Sequence, residues 1–259
     1  DITKIYSVAG LLPPKTPLIT HRPYRAPHHS ASSAALVGGG TQIKPGEITL
    51  AHRGVLFLDE MVEFHRDVLE SLREPLESGA ITVSRAAGSL RFPAKFMLIA
   101  ACNPCPCGFY GDRERQCVCM PGSIAKYRKK LSGPIVDRID LHVEVPRLKF
   151  DKLTEEAVAT PSSEIRAQIE TVREIQRARF ADRGYTTNAE MPVQNIKKFC
   201  AVDAQTNDLL RNAVDRIHLS ARAYHRVLKL SRTIADLSGV DKIEQQHVAE
   251  ALNYRPKSD

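Results

Sequence analysis

No run of about 18 consecutive apolar residues occurs in the 259-residue chain, so neither a transmembrane helix nor a membrane partner is expected. No charged, then apolar, then small-residue leader pattern opens the chain, so no secretory signal is expected. Internal repeats and low-complexity segments are absent. The sequence also has no glycine-rich loop ending in Gly-Lys-Ser or Gly-Lys-Thr. Gly38-Gly39-Gly40 runs into Thr41, and Lys257-Ser258 has no glycines before it. These residues therefore contain no phosphate cradle of the Walker A kind.

What is present is ordinary in bulk. At 42% hydrophobic content the chain can fold as one large domain or two smaller ones with ample core. A net charge of +7 and a pI near 9.1 favour polyanion partners. Nucleic acid, nucleotide and mere solubility all fit that balance. Six cysteines without a secretory signal point to a reducing compartment, here the cytoplasm, with metal binding ahead of disulfides.

The chain is organised around Gly54-Val55-Leu56-Phe57-Leu58-Asp59-Glu60. Four apolar residues between a glycine and two carboxylates predict a short buried strand of a parallel sheet, apolar on both faces. Open α/β sheets place ligands at the C-terminal edge of such strands, where Asp59 and Glu60 fall. This is the Walker B arrangement. The first carboxylate holds Mg2+, directly or through water, and the second polarises the water that attacks the γ-phosphate of ATP. The same pair would also serve simply to cap the following helix. Without a phosphate loop the nucleotide site is incomplete. Either the Walker B reading fails, or the chain is a fragment of a protein whose N-terminal part carries the loop.

Other segments fall into place around that strand. His21 to Ser30 holds histidines and arginines in a turn-rich stretch, which suits phosphate, metal, or nothing more than a polar loop. Ser30–Val37 predicts a short helix and Ile48–Ala51 a short strand. Apolar residues at Met61, Phe64, Val68, Leu69, Leu72 and Leu76 predict one amphipathic helix stopped by Gly79. Ile81–Arg85 and Leu90–Phe92 predict a β-hairpin. Phe96–Ala101 predicts a second fully apolar strand, which places Asn103 beside the carboxylates to orient water or phosphate.

Cys105, Cys107, Cys117 and Cys119 form two close pairs bridged by a short polar loop, a pattern suited to tetrahedral Zn2+. Free thiols or a redox pair are the alternatives. Cys102 and Cys200 read as packing residues. Ser123–Leu131 predicts a basic helix with Lys126, Arg128, Lys129 and Lys130, and Leu141–Val145 a strand. Residues 151–163 read as a linker. Beyond it, helices are expected over about 165–181, 209–217, 220–237 and 244–253, forming a small all-α domain.

Taken in order, these motifs resemble the AAA+ ATPases, and within their magnesium-chelatase-like branch the ComM (YifB) family. The resemblance rests on RPYRAPHHSASSAALVGGG (22–40), PGEITLAHRGVLFLDE (45–60), REPLESGAITVSRA (73–86), NPCPCG (103–108), LSGPIVDRIDLHVEVP (131–146) and SARAYHRVLKLSRTIADL (220–237). It covers nearly the whole chain. It implies an α/β fold: an AAA+ parallel-sheet core with β-hairpin inserts over 1–150, including a zinc-binding loop at 102–120. A small all-α lid, the magnesium-chelatase-like C-terminal domain, would follow over 161–259. The family carries a Lon-protease-like domain and a Walker A loop upstream, so this chain alone is expected to be inactive as an ATPase.

The resemblance also implies roles. Asp59 and Glu60 correspond to Walker B, and Asn103 to sensor 1. Arg138 corresponds to an arginine finger reaching the next subunit, with an ion pair to Asp137 or Asp140 as the plainer reading. Arg222 corresponds to sensor 2, with Arg226 as its rival. The hairpin matches one that faces DNA in related helicases, which makes Arg85 and Arg91 candidate DNA contacts. The implied protein is a hexameric homo-oligomer using ATP, Mg2+ and Zn2+, a DNA helicase promoting branch migration on single-stranded or branched DNA. The alternative is a chelatase-type motor that remodels a protein partner for metal insertion. A third reading is a zinc-stabilised scaffold without catalysis.

Overall fold

A computed structural model of the chain describes residues 1–39, 43–85, 88–112, 114–130, 135–146, 159–217 and 219–256. They form two compact units, Asp1–Ile139 and Asp140–Asp259.

The first unit opens with helix α1 (Ile2–Ala9), then strand β1 (Tyr24–Arg25) and helix α2 (Ser33–Val37). Ser32 caps α2, its Oγ accepting from the Ala35 N–H at 3.2 Å. A small antiparallel pair, β2 (Gly38–Gly39) and β3 (Lys44–Pro45), leads to helix α3 (Glu47–Leu50). The sequence predicts a strand at 48–51. Instead the Leu50 and Ala51 N–H groups donate to the Gly46 and Glu47 carbonyls, closing a helical turn. Ile48, Thr49 and Leu50 are all buried, so burial here does not follow the alternation of a strand.

Strand β4 (Val55–Leu58) is the centre of a parallel three-stranded sheet, flanked by β1 and by β7 (Met97–Ala100). Leu56 and Leu58 are completely buried, each contributing about 1.5–3 kcal/mol. They pack with Leu36, Ile48, Met61, Phe64, Val68, Leu72 and Ile81. Val55 and Phe57, on the opposite face, are only half-buried, and Met97 and Ile99 of β7 are exposed. The expected burial on both faces is thus met on one, because the described residues of this unit cover one side of the sheet.

The single helix expected over 61–76 is three pieces. A 3-10 turn spans Met61–Glu63, and helices α4 (Arg66–Ser71) and α5 (Arg73–Ser78) follow. Phe64 and His65 are extended, which breaks the first join. Pro75 lacks the N–H that would bond the Ser71 carbonyl, so α5 starts afresh with the proline in its first turn. Gly79 ends α5 in a left-handed conformation (φ +67°), as its position predicts. The hairpin is β5 (Ala80–Arg85) and β6 (Gly88–Pro93), in register from Ala80↔Pro93 to Arg85↔Gly88. Helix α6 (Pro121–Lys130) and a 3-10 turn at Val136–Arg138 complete the unit.

The second unit is helical: α7 (Ser162–Arg179), α8 (Val193–Phe199), α9 (Ala204–Ile217), α10 (Ala221–Leu237) and α11 (Gln245–Asn253). Phe180, Met191, Leu210, Val227, Ala235 and Val248 form its core. Ser220 caps α10, and Glu244 with His247 forms a reciprocal cap on α11. Asp236 is buried and accepts from Arg179, Arg232 and Asn188, which ties three segments together. Helix α8 escapes the sequence reading because it is two turns long. The strand expected at 141–145 does not form: these residues are irregular, with Val143 and Val145 largely exposed. The His142 N–H donates to the Tyr254 carbonyl at 2.8 Å, just past the end of α11, so the segment bonds to a helix end and not to a strand. Most of the expected linker, 151–158, lies outside the described residues.

Candidate functional site

Parallel pairing puts the C-terminal ends of β1, β4 and β7 along one sheet edge. The segment after β1 carries His28 and His29, that after β4 carries Asp59 and Glu60, and that after β7 carries Asn103. Two backbone bonds stitch the last two together: the Ala101 N–H donates to the Leu58 carbonyl at 3.0 Å, and the Met61 N–H to the Ala101 carbonyl at 2.9 Å. Both carboxylates and Asn103 are exposed at this edge.

Glu60 adopts φ +50°, a left-handed conformation that is unfavourable for a residue with a Cβ. The turn is held locally, with the Glu60 N–H donating to Asp59 Oδ1 at 2.9 Å. Across the strand boundary, His29 Nδ1 lies 3.1 Å from Glu60 Oε2. The His29 ring is fixed from two sides, with His28 at 4.1 Å between centroids and Phe64 edge-on at 6.5 Å. His28 in turn meets Ser30 Oγ through Nδ1 at 2.8 Å. Two solvent-facing carboxylates at a strand edge fit Mg2+, a hard cation that takes oxygen ligands and keeps several waters. The histidine contact is the feature that sequence reasoning missed. A two-residue strand such as β1 gives no periodic signal, so nothing in the sequence places His29 next to Glu60.

The other predicted residues are placed as follows. Arg138 is buried, and its guanidinium pairs with Glu77 of α5, a partner the sequence reading does not name. Arg222 is exposed in the first turn of α10, in the second unit, and its rival Arg226 pairs with Asp140. Arg91 is exposed on β6, opposite Thr82. The Arg85 backbone closes the hairpin against Gly88, but its side chain, like Ala86 and Ala87, lies outside the described residues. Cys200 is buried, as a packing residue should be, whereas Cys102 is exposed.

Cys105, Cys107, Cys117 and Cys119 converge, with their Sγ atoms all within 4.8 Å of one another. Three of the separations are 3.4, 3.6 and 3.7 Å. Tetrahedral Zn–S bonds of about 2.3 Å require sulfurs about 3.8 Å apart, so the cluster fits zinc with little adjustment. The charges argue the same way. Backbone N–H groups of Phe109 and Val118 hold the Cys107 thiol down, to about 6. The Cys107 sulfur beside it pushes Cys119 up to about 12. Four sulfurs this close cannot all ionise unless a cation sits among them.

A parallel α/β core with an acid pair at its C-terminal edge, followed by an all-α unit, defines the AAA+ fold class. The chain belongs to the magnesium chelatase family: the family described as magnesium chelatase, subunit ChlI, matches residues 1–153, and its C-terminal counterpart matches 159–255. The competence protein ComM of Haemophilus influenzae is 50% identical over 90% of this chain and 45% of its own length. YifB of Escherichia coli is 43% identical over the same shares. The chloroplastic magnesium-chelatase subunit ChlI of Nicotiana tabacum is 27% identical over 87% of this chain and 48% of its own. The chain thus spans about half the length of the curated relatives it matches.

Proposed function

We propose that the chain is part of an ATP-driven, hexameric DNA motor of the cytoplasm, a helicase that promotes branch migration during natural transformation or recombination. The observation that carries this reading is the Asp59–Glu60 pair at the edge of the parallel sheet, beside the strand that leads to Asn103. The similarity to a competence protein supports the choice of DNA as substrate. Mg2+, when bound with ATP, neutralises charge that develops on the phosphates. Asp59 holds that ion, Glu60 accepts hydrogen bonding from the attacking water, and Asn103 orients that water. Arg138 is the candidate finger and Arg222 the candidate sensor on the helical unit. To act across a subunit boundary Arg138 has to exchange Glu77 for phosphate. Arg85 and Arg91 contact DNA, and the four cysteines hold a structural Zn2+.

The nucleotide chemistry also requires a phosphate-binding loop, which the 259 residues do not contain. The test therefore uses the full-length protein. Its ATPase should rise with single-stranded or branched DNA, and Glu60→Gln should bind ATP without hydrolysing it. The chelatase-type reading is favoured by the family description and the similarity to ChlI. It requires stimulation by a protein partner, with DNA binding absent or insensitive to salt. Phosphate contacts instead make DNA binding fall steeply with salt, so one salt titration separates the two readings.

A further inference from the structure

Helix α6 buries none of its side chains. Only Ile124 and Tyr127 are half-buried, while Lys126, Arg128, Lys129 and Lys130 are exposed. Lys126 stands three residues from Lys129 and four from Lys130, so like charges share one helix face and destabilise it. The helix dipole accounts for cations in the last turn, Arg128 to Lys130, but not for Lys126. The helix itself contains no acidic residue, and Lys130 is turned toward the preceding segment, its Nζ 4.0 Å from Glu63 and donating to the Val62 carbonyl at 3.2 Å.

The cysteine loop joins this helix into one surface. The Met120 carbonyl accepts from the Ser123 and Ile124 N–H groups, starting the helix directly from the loop. The Arg128 guanidinium lies 5.5 Å from the centroid of the Tyr110 ring, and Arg115 lies 5.0 Å from that of Phe109. The loop also exposes Val118 (83%), Met120 (77%) and Tyr110 (45%). Large apolar side chains exposed on a loop that runs directly into a basic helix suit an interaction surface.

We propose that the cysteine loop and α6 form a binding site for single-stranded DNA, in addition to the hairpin. Lys126 and Lys129 contact phosphates, while Tyr110, Val118 and Met120 meet unstacked bases. Single-strand sites combine a basic track with aromatic and apolar surface on which bases lie, and the sequence-independent share of their affinity is electrostatic. A duplex would offer no exposed base faces to this apolar edge. Charge complementarity selects a polyanion, and the reading of the whole protein as a DNA motor selects DNA among polyanions; the proposal rests on that reading to this extent.

The test measures anisotropy of a labelled oligothymidylate of about 25 nucleotides with the full-length protein. Salt is titrated between about 50 and 200 mM. The double variant Lys126→Ala/Lys129→Ala should bind roughly tenfold more weakly at physiological salt, with a log–log slope shallower by roughly 1.4 per subunit engaged. Val118→Ser/Met120→Ser should lose affinity with the slope unchanged, since it removes no charge. Arg85→Ala/Arg91→Ala is measured alongside. If the lysine variant keeps its zinc and its affinity and slope equal the wild type's, the proposal fails while the DNA-motor reading stands. If the wild type shows no salt-dependent binding, both fail. If the lysine variant binds DNA normally but no longer assembles, the face is a subunit contact and the proposal is overturned.

Discussion

Two histidines show how much a single neighbour decides. Glu60 sits in an unfavourable backbone conformation with its carboxylate facing solvent, which alone would leave it poorly aimed. With the proton on Nδ1, His29 donates to Oε2 and leaves Oε1 for water. His29→Ala in the full-length protein should lower kcat by about tenfold to a hundredfold with a smaller effect on KM, as expected when a reacting group is misplaced. His29→Asn, whose amide N–H lies near the Nδ1 position, should restore part of the loss. An unchanged kcat in the alanine variant would make the contact incidental. His52 is the opposite case, a structural base. It is buried just before β4, where its Nδ1 accepts from the Lys95 N–H at 3.1 Å. Burial, then the nearby Arg53 charge, pushes its pKa down to about 4. The unfolded chain titrates the same group near 6.5. Between those values the unfolded state binds the proton more readily, so stability is full above about 6.5 and falls as pH drops toward 4. Thermal melts from pH 7.5 to 5 should show a larger fall in Tm for the wild type than for His52→Asn, which keeps an acceptor and loses the titration. Parallel Tm curves would exclude the mechanism.

At the scale of elements, strong patterns were legible and weak ones were not. The β4 strand, the hairpin and the Ser220-capped helix each have a local cause in the sequence: an apolar run before two acids, two alternating strands about a small-residue turn, a serine cap before a helical stripe. The broken helix at 61–78 was not legible because its apolar spacing continues through both the Phe64 break and the restart around Pro75. The 141–145 segment misled because its alternation was real, but its backbone bonds the end of the last helix and not another strand. The cysteine cluster was legible because its ligand chemistry is local, whereas the Arg138–Glu77 pair joins residues far apart in sequence and leaves no trace there. The cluster gives the clearest prediction at this scale. Cys105 is fully buried within a loop whose other side chains are mostly polar or exposed, so a Zn2+ held by the four proposed ligands would supply much of what folds the loop. Elemental analysis should find one Zn2+ per chain. A chelator should expose the loop to trypsin at Arg115 well before cleavage within the β4–β7 core. Protein purified without chelator and carrying less than about one-tenth equivalent of zinc would refute the assignment.

For the whole molecule the question is which residues act within a subunit and which between subunits. Arg138 frames it, because this chain already holds the side chain buried against Glu77. A purely structural arginine and a finger that leaves Glu77 in the assembled ring make different predictions. If the pair is only structural, Glu77→Ala and Arg138→Ala should lower ATPase alike, through lost stability. If Arg138 stabilises transition-state charge on a neighbour's nucleotide, its removal should cost up to roughly 10³-fold in kcat with ATP affinity nearly kept, far more than Glu77→Ala. Mixing subunits then decides the direction. Arg138→Ala subunits retain Glu60, and Glu60→Gln subunits retain Arg138, so on the finger reading each homomeric ring should be inactive. In mixed rings some interfaces bring an intact Glu60 against an intact Arg138, and ATPase should reappear, greatest near equal proportions. The measurement is steady-state ATPase across a mixing series of full-length subunits whose ring composition is verified by native mass spectrometry. Recovery would establish a site shared between subunits, completed only by assembly. No recovery in verified mixed rings would confine Arg138 to its own chain and return it to the structural pair with Glu77.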